Sequence, residues 1–197
     1  EDSPNYNKVI HRTELGSGGD ELHHMGWNAC SSCNTDSSMQ RKYLVIPGVI
    51  TSNFYIVDTA TNPSAPVLYK TISGDEIKKK TNLSTPHTVH CLGADIIVSM
   101  LGDANGDAPG GYLHLNKDFE VIGRWEKNID GMNFSYDFWY QPRQNMMVST
   151  EWAAPNTFIP GFNLKDVEKG SYGHHIHFWD FENKSIEKSI DLGEEGM

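Results

Sequence analysis

The chain has 197 residues and a formal net charge of −10, with 26 acidic side chains against 16 basic ones. This acidity argues against a nucleic-acid backbone as the partner, and no apolar run approaches the ~18 residues that a membrane-spanning helix needs. Charged residues make up 21% of the chain, an ordinary share that argues against wholesale disorder.

Short apolar stretches, rich in β-branched and aromatic residues and separated by Gly, Pro, Asn and Asp, predict β-strands along most of the chain. In chain order, the predicted strands are Tyr43–Ile46, Ser52–Asp58, Val67–Ile72, Thr88–Leu92, Asp95–Met100, Gly111–Asn116, Phe119–Trp125, Tyr136–Gln141, Asn145–Thr150, His174–Asp180 and Ser185–Ile190. The best helical candidates are the short segments Gly74–Lys80 and Leu164–Lys169. The sequence therefore predicts an all-β protein.

The predicted strands repeat as a larger unit of strand, loop, strand, tight turn and strand. The first strands of three such units are centred on Leu44, Ile97 and Met147, which are 53 and 50 residues apart. A period near ~50 residues is typical of a four-stranded β-propeller blade, and a β-sandwich with coincidental spacing is the alternative. A propeller needs about four to eight blades to close. We therefore expect residues 1–197 to be a partial propeller domain, with three to four blades, of a longer chain.

Histidines are numerous and lie in three clusters. The chain has nine, of which seven fall into the groups His23 with His24, His87 with His90, and His174 with His175 and His177. Neutral imidazole is a common ligand of copper, zinc and iron. In a propeller, inner strands and strand ends line a central channel, where such side chains can meet. The alternative is that these histidines are hydrogen-bonded core or surface residues.

Two further features carry possible chemistry. Cys30 and Cys33 form one C-x-x-C motif, which is a redox dithiol, half of a zinc site or a pair of incidental thiols. The total of three cysteines is odd, which favours a reducing compartment, and we expect the cytoplasm. Glu151 ends a predicted strand near the channel mouth, where it is either a partner of a metal-bound histidine or a surface carboxylate.

At these residues the sequence resembles the selenium-binding protein family, also known as methanethiol oxidases. The strings that carry the resemblance run along nearly the whole chain. They are Asp20–His24, Gly26–Asn28, Cys30–Cys33, His87–Cys91, Leu101–Asp103, Gly110–Gly111, Tyr136–Arg143, Ser149–Asn156, Tyr172–His175 and Trp179–Asp180. Several of these strings are long and irregular, so the match is specific.

The resemblance implies a seven-bladed propeller in a chain more than twice this length, of which residues 1–197 are the N-terminal half without its first segment. Family members use oxygen to oxidise methanethiol to formaldehyde, hydrogen sulfide and hydrogen peroxide, and bacterial members are linked to copper. The implied copper ligands are His23, His24 and either His87 or His90. A further ligand is expected in the C-terminal half.

We therefore predict a copper-dependent oxidoreductase that acts on a small thiol with oxygen. The other expected partner of residues 1–197 is the missing half of the same propeller. The predicted metal ligands are His23, His24, His87, His90 and His175, and the predicted catalytic residues are Glu151, Cys30 and Cys33. Cys30 and Cys33 would shuttle electrons or hold a sulfur intermediate.

The rival functions are a non-catalytic module that binds selenium or a metal, and a structural scaffold for protein partners. In animal members of the family, a cysteine two residues before the Val-Ile-His-Arg string is implicated in holding selenium. Asn7 occupies that position here, and an amide oxygen cannot bind selenium as a thiolate does. Cys30 and Cys33 then remain as the soft sulfur ligands that could bind selenium.

Overall fold

A computed structural model of the chain describes residues 2–16, 18–30 and 38–196. Within these ranges, twelve strands form three antiparallel sheets, each made of four strands that are consecutive in sequence. Within each sheet, every strand pairs with the next one along the chain, which is the up-and-down order of a β-propeller blade. The predicted all-β class and propeller architecture are therefore confirmed.

Most strand bounds lie within three residues of the predicted ones, but the strand predicted to begin at Thr88 begins at Leu83, five residues earlier. Blade 1 comprises β1 (Gly26–Trp27), β2 (Tyr43–Pro47), β3 (Phe54–Asp58) and β4 (Val67–Ile72); blade 2 comprises β5 (Leu83–Leu92), β6 (Asp95–Asp103), β7 (Gly111–Leu115) and β8 (Val121–Arg124); blade 3 comprises β9 (Phe138–Gln141), β10 (Met146–Thr150), β11 (His175–Asp180) and β12 (Ser185–Asp191). Strand β1 was not predicted, because two residues carry no alternation that a sequence pattern can show.

Three short α-helices connect the strands: α1 (Gly74–Thr81), α2 (Pro155–Phe158) and α3 (Leu164–Glu168). The sequence predicted α1 and α3 but not α2. The Ser73 side chain accepts a hydrogen bond from the Asp75 N–H and caps α1. The basic run 78–80 lies in the last turn of α1, where positive charges are attracted to the negative end of the helix dipole. No helix of the described ranges is long and apolar enough to cross a membrane.

Two hydrophobic clusters fill the spaces between consecutive blades. The cluster between blades 1 and 2 contains Val45, Phe54, Ile56, Ile72, Ile77, Leu83, Val89, Ile96, Val98, Met100, Leu113, Leu115, Phe119 and Val121. The cluster between blades 2 and 3 contains Ile97, Tyr112, Trp125, Met132, Phe138, Tyr140, Met147 and Trp179. In β6, Ile96 and Val98 face the first cluster and Ile97 the second, because side chains alternate along a strand. Blade 2 is therefore buried on both faces.

Because blade 2 is buried on both faces, we expect two leucine substitutions in the full-length protein to differ greatly in their effect on the free energy of unfolding. Leu113→Ala removes a fully buried side chain from the first cluster, and we expect it to lower the free energy of unfolding by about 2–5 kcal/mol. Leu164→Ala, the matched control at the start of α3, removes a side chain that is 68% exposed and should cost less than about 0.5 kcal/mol. Denaturant titration measures both, and equal losses would contradict the assigned core.

Candidate metal centre

Three histidines from two neighbouring blades lie together; we call them the histidine trio. His23 and His24 precede β1, and His87 lies within β5. The ring centroids are 4.5 Å apart for His23 and His24, 5.1 Å for His23 and His87, and 3.8 Å for His24 and His87. One nitrogen from each ring lies within 4.8 Å of the other two, so the three imidazoles are spaced to share one metal ion.

The backbone around His24 explains how two adjacent histidines converge. Consecutive side chains of an extended chain point to opposite sides. His24 instead has φ +53°, a left-handed conformation that is uncommon outside glycine. Bridge pairing of Leu22 with Gly48 and of Gly26 with Val45 holds the chain on either side of this turn. The turn at His24 therefore places both rings on the side that faces His87.

A close approach of two strands brings blade 1 to blade 2 at this point. A Cβ atom added to Gly26 would lie 2.5 Å from the carbonyl oxygen of Val89, a backbone atom that cannot move aside cheaply. Only glycine therefore allows β1 to come this near to β5. The position of His24 against His87 depends on that distance.

The Gly26→Ala substitution is expected to separate β1 from β5 and to lower copper affinity by about tenfold, the loss typical when the supports of metal ligands are disturbed. Gly18→Ala is the matched control, since a Cβ there would meet no atom within 4 Å. Competitive titration of copper on the full-length variants measures the effect. A Gly26→Ala protein with the affinity of Gly18→Ala would show that the close approach does not position the ligands.

The surroundings of the trio lower the pKa of two of its rings, His87 and His23. Burial, followed by repulsion from His24 and His23, lowers the pKa of His87 to about 4. Burial and then the neighbouring His24 also lower the pKa of His23. Since a histidine must be deprotonated to bind a metal, this crowding favours metal binding over proton binding. Nδ1 of His87 shares a 2.9 Å hydrogen bond with the Thr88 hydroxyl, which leaves Nε2 for a metal.

His90 does not join the trio among the described residues, although it lies three residues beyond His87 on the same strand. Its Nε2 donates a 3.0 Å hydrogen bond to the carbonyl oxygen of Phe138, and its ring centroid is 4.6 Å from that of Trp139. Residues three apart on a strand lie on opposite faces, and a register irregularity separates Pro86 from Val89. One of the two predicted histidines of β5 therefore reaches His23 and His24.

His175 and Glu151 form part of a different group in blade 3. The Glu151 side chain is completely buried and lies 2.9 Å from Nδ1 of His175 and 3.2 Å from Nε2 of His177. It also accepts hydrogen bonds from the N–H groups of Asn133 and Phe134 at 2.7 and 3.1 Å. Burial alone would raise the pKa of Glu151, but the close approach of His177 and the hydrogen bonds from Phe134, Asn133 and His175 together lower it to about 2. Glu151 is thus an ionised carboxylate that orients histidines outside the trio.

Of the predicted sulfur site, the described residues include Cys30. Cys30 is disulfide-bonded, and Cys33 lies outside the described residues. Cys30 and Cys91 line a cavity of about 370 Å³ together with Met25, Gly26, Trp27, Val89, His90, Trp139, Tyr140 and Gln141. Burial is the main cause that raises the pKa of the Cys91 thiol, so it stays protonated at neutral pH. Asn7 is exposed near the N-terminal end of the described residues.

Sequence reasoning missed an aromatic side chain at the trio. The Tyr136 ring centroid lies 4.5 Å from that of His87, and Trp152 lies 5.2 Å beyond Tyr136. In the dense aromatic segment 136–143, Phe138 and Tyr140 pack in the core between blades 2 and 3, whereas Tyr136 lies against the trio. The signal for Tyr136 was its place before β9, the position that His23 and His24 occupy before β1.

Comparisons with known proteins place these features in one family. The model of the 56 kDa selenium-binding protein family matches residues 1–197. Selenium-binding protein 2 of Arabidopsis thaliana is 50% identical over 99% of this chain and 40% of its own length. The methanethiol oxidase of Danio rerio is 50% identical over 98% of this chain and 43% of its own length.

A solved structure agrees with these relatives. The X-ray structure of a hypothetical selenium-binding protein from Sulfolobus tokodaii superposes with a TM-score of 0.93 at 42% identity, over 98% of this chain and 43% of that one. The chain spans about two fifths of the length of the relatives that it matches. On the whole-length family match, the relatives at 50% identity and the shared fold, the chain belongs to the 56 kDa selenium-binding protein family.

Proposed function

We propose that the full-length protein is a copper-dependent methanethiol oxidase and that His23, His24 and His87 bind its copper. The observation that carries the proposal is the convergence of three imidazoles, each with one nitrogen within 4.8 Å of the others. Several relatives named methanethiol oxidase support the activity. Imidazole nitrogen is a preferred ligand of copper, so the donor set fits this metal.

The residues around the trio have definable roles in this reaction. The chemistry that bound copper supplies is Lewis acidity toward a thiol sulfur and one-electron acceptance. Thr88 fixes the orientation of the His87 ring from one side, and the Tyr136 ring packs against it from another. His24 is exposed and His23 half-buried, so a small thiol reaches the centre from their side. The three imidazoles would hold the ion together with the further ligand expected in the C-terminal half, and the ion would supply a position for that thiol.

The overall reaction balances in atoms and electrons. One methanethiol, one dioxygen and one water give one formaldehyde, one hydrogen sulfide and one hydrogen peroxide. The carbon loses two electrons as its bond to sulfur is replaced by a double bond to oxygen, and dioxygen gains the same two electrons. The products are therefore expected in equal amounts.

The direct test is to incubate the copper-loaded full-length protein with methanethiol under oxygen and to quantify hydrogen sulfide and hydrogen peroxide. Equimolar release that stops under nitrogen, or after the copper is chelated, would support the proposal. Copper-loaded protein that releases no hydrogen sulfide under oxygen would refute it.

A non-catalytic selenium-binding module is the second candidate, favoured by the cavity that the Cys91 thiol lines and by the relatives named for selenium. The raised pKa of Cys91 argues against it, since a protonated thiol is a weak selenium ligand. The test is to incubate the full-length protein with selenite and a thiol reductant and to measure the selenium that gel filtration leaves on the protein. Selenium retained without any hydrogen sulfide release from methanethiol would favour this candidate.

A further inference from the structure

We infer that His174, His175 and Asp191 form a second cation site, distinct from the histidine trio, which binds a divalent transition-metal ion of the Zn²⁺ class. The three side chains offer one ligand atom each, and these atoms lie within 4.8 Å of one another. Two nitrogen donors and one carboxylate oxygen are a common protein ligand set for zinc with an open fourth position. We call this group the blade 3 cluster.

The sheet of blade 3 builds the cluster from two adjacent strands. His175 begins β11 and pairs directly with Asp191 at the end of β12. The N–H of Leu192 donates to the carbonyl oxygen of His174 at 3.0 Å, which extends the pairing by one step. The two histidine rings stack with centroids 4.7 Å apart and planes inclined by 30°. The backbone pairing therefore fixes all three side chains at one end of the blade.

A carboxylate oxygen lies beside Nδ1 of each histidine in the cluster. Nδ1 of His174 lies 2.7 Å from Oδ1 of Asp191, and Nδ1 of His175 lies 2.9 Å from Oε2 of Glu151. His175 therefore has the arrangement that is characteristic of metal-binding histidines, in which a separate carboxylate holds one nitrogen and Nε2 is left for the ion. At His174 the carboxylate is itself a ligand of the proposed site, so the ion would replace the proton that Nδ1 shares with Asp191.

The surroundings of the cluster favour a cation and leave room for one. The carboxylates of Glu151 and Asp191 both face the two rings, and no lysine or arginine pairs with either in the part of the chain that the structure describes. His174 and His175 line a cavity of about 390 Å³, and their side chains are 31% and 21% exposed. An ion can therefore enter from solvent and meet two negative charges and two imidazoles.

A histidine–carboxylate pair elsewhere in the fold provides the contrast. Nε2 of His114 lies 2.8 Å from Oδ2 of Asp95 in blade 2, a pair as short as those of the cluster. No third ligand joins this pair among the described residues, so it can serve as an ion pair but not as a metal site of three ligands. His114→Gln is thus the matched control for substitutions in the blade 3 cluster.

The test uses Zn²⁺ on the full-length protein that carries His23→Ala and His24→Ala, so that the trio no longer contributes. Equilibrium dialysis followed by metal analysis counts the bound ions. Adding His174→Gln and His175→Gln should lower the count by one Zn²⁺ per chain, and adding His114→Gln should leave it unchanged. Glutamine at 175 retains an N–H donor for Glu151, which limits damage to the fold.

Asp191→Asn provides a second measurement that does not depend on the histidine variants. The Asp191 side chain is 61% exposed, so the substituted protein should melt at the wild-type temperature in a chelator. In zinc, we expect its affinity at this site to fall at least tenfold. An unchanged Zn²⁺ count in the two-histidine variant, or an unchanged affinity in Asp191→Asn, would overturn the proposal and leave the cluster as a surface ion pair.

Discussion

Replacing His23 and His24 with alanine in the full-length protein is expected to abolish copper binding and methanethiol oxidation together. The double substitution removes two of the three imidazoles that lie within 4.8 Å of one another, and a single remaining histidine does not hold the ion. Both side chains are at least partly exposed, so the fold should survive the change. Copper content by mass spectrometry and hydrogen sulfide release from methanethiol measure the two losses.

The matched control for this experiment is the double variant His11→Ala with His114→Ala. His11 is exposed and, among the described residues, bonds the carbonyl oxygen of Pro66, and His114 pairs with Asp95 in blade 2. Two histidines are lost in each protein, but the control leaves the trio intact and should retain copper and activity. Stoichiometric copper or full turnover in the His23→Ala/His24→Ala protein, with a wild-type circular dichroism spectrum, would refute the assigned site.

Replacing Glu151 with glutamine is expected to cause the largest loss of stability among the site variants. Despite burial, the close approach of His177 and hydrogen bonds from Phe134, Asn133 and His175 lower the pKa of Glu151 from its ordinary 4.5 to about 2. This shift corresponds to about 3 kcal/mol of folding free energy at neutral pH. Neutral glutamine loses that contribution and turns an amide N–H toward a donor.

The pH dependence of this effect has a defined sign. Because folding lowers the pKa of Glu151, its contribution is complete above pH 4.5 and is lost as the pH falls from 4.5 toward about 2. The stability difference between wild type and Glu151→Gln should therefore be constant near neutrality and shrink in acid. Urea titrations of the full-length proteins in a chelator, at several pH values, measure it.

Glu187→Gln is the control for this series, since Glu187 is exposed on β12 of the same blade and should contribute less than about 0.5 kcal/mol. Copper content provides an independent readout. Glu151 contacts His175 and His177 and not the trio, so Glu151→Gln should keep stoichiometric copper wherever it is folded. A stability difference that does not change with pH would contradict the ionised, multiply bonded carboxylate.

The blade architecture was accessible from sequence because strands are encoded locally. Alternating apolar residues and turn residues define each strand within a few positions, and the recurrence near 50 residues identifies the blade. Strand β1 was not predicted, because its two residues acquire strand geometry only by pairing with β2. The long irregular strings around His23, His87 and Tyr136 pointed to the family, which the comparisons confirm.

The grouping of the histidines was decided by tertiary structure alone. His23 and His87 lie 64 residues apart, and their contact depends on how closely β1 packs on β5 at Gly26.

His90 belongs to the same motif as His87 but lies on the other face of the strand, and no local pattern shows which face turns toward blade 1. His175 joins Asp191 because β11 and β12 pair in one particular register. The sequence alone determined which residues are able to bind a metal. Which of these residues meet was determined by the packing between blades and the pairing between strands, because the core, and not local periodicity, sets the distances between separate elements.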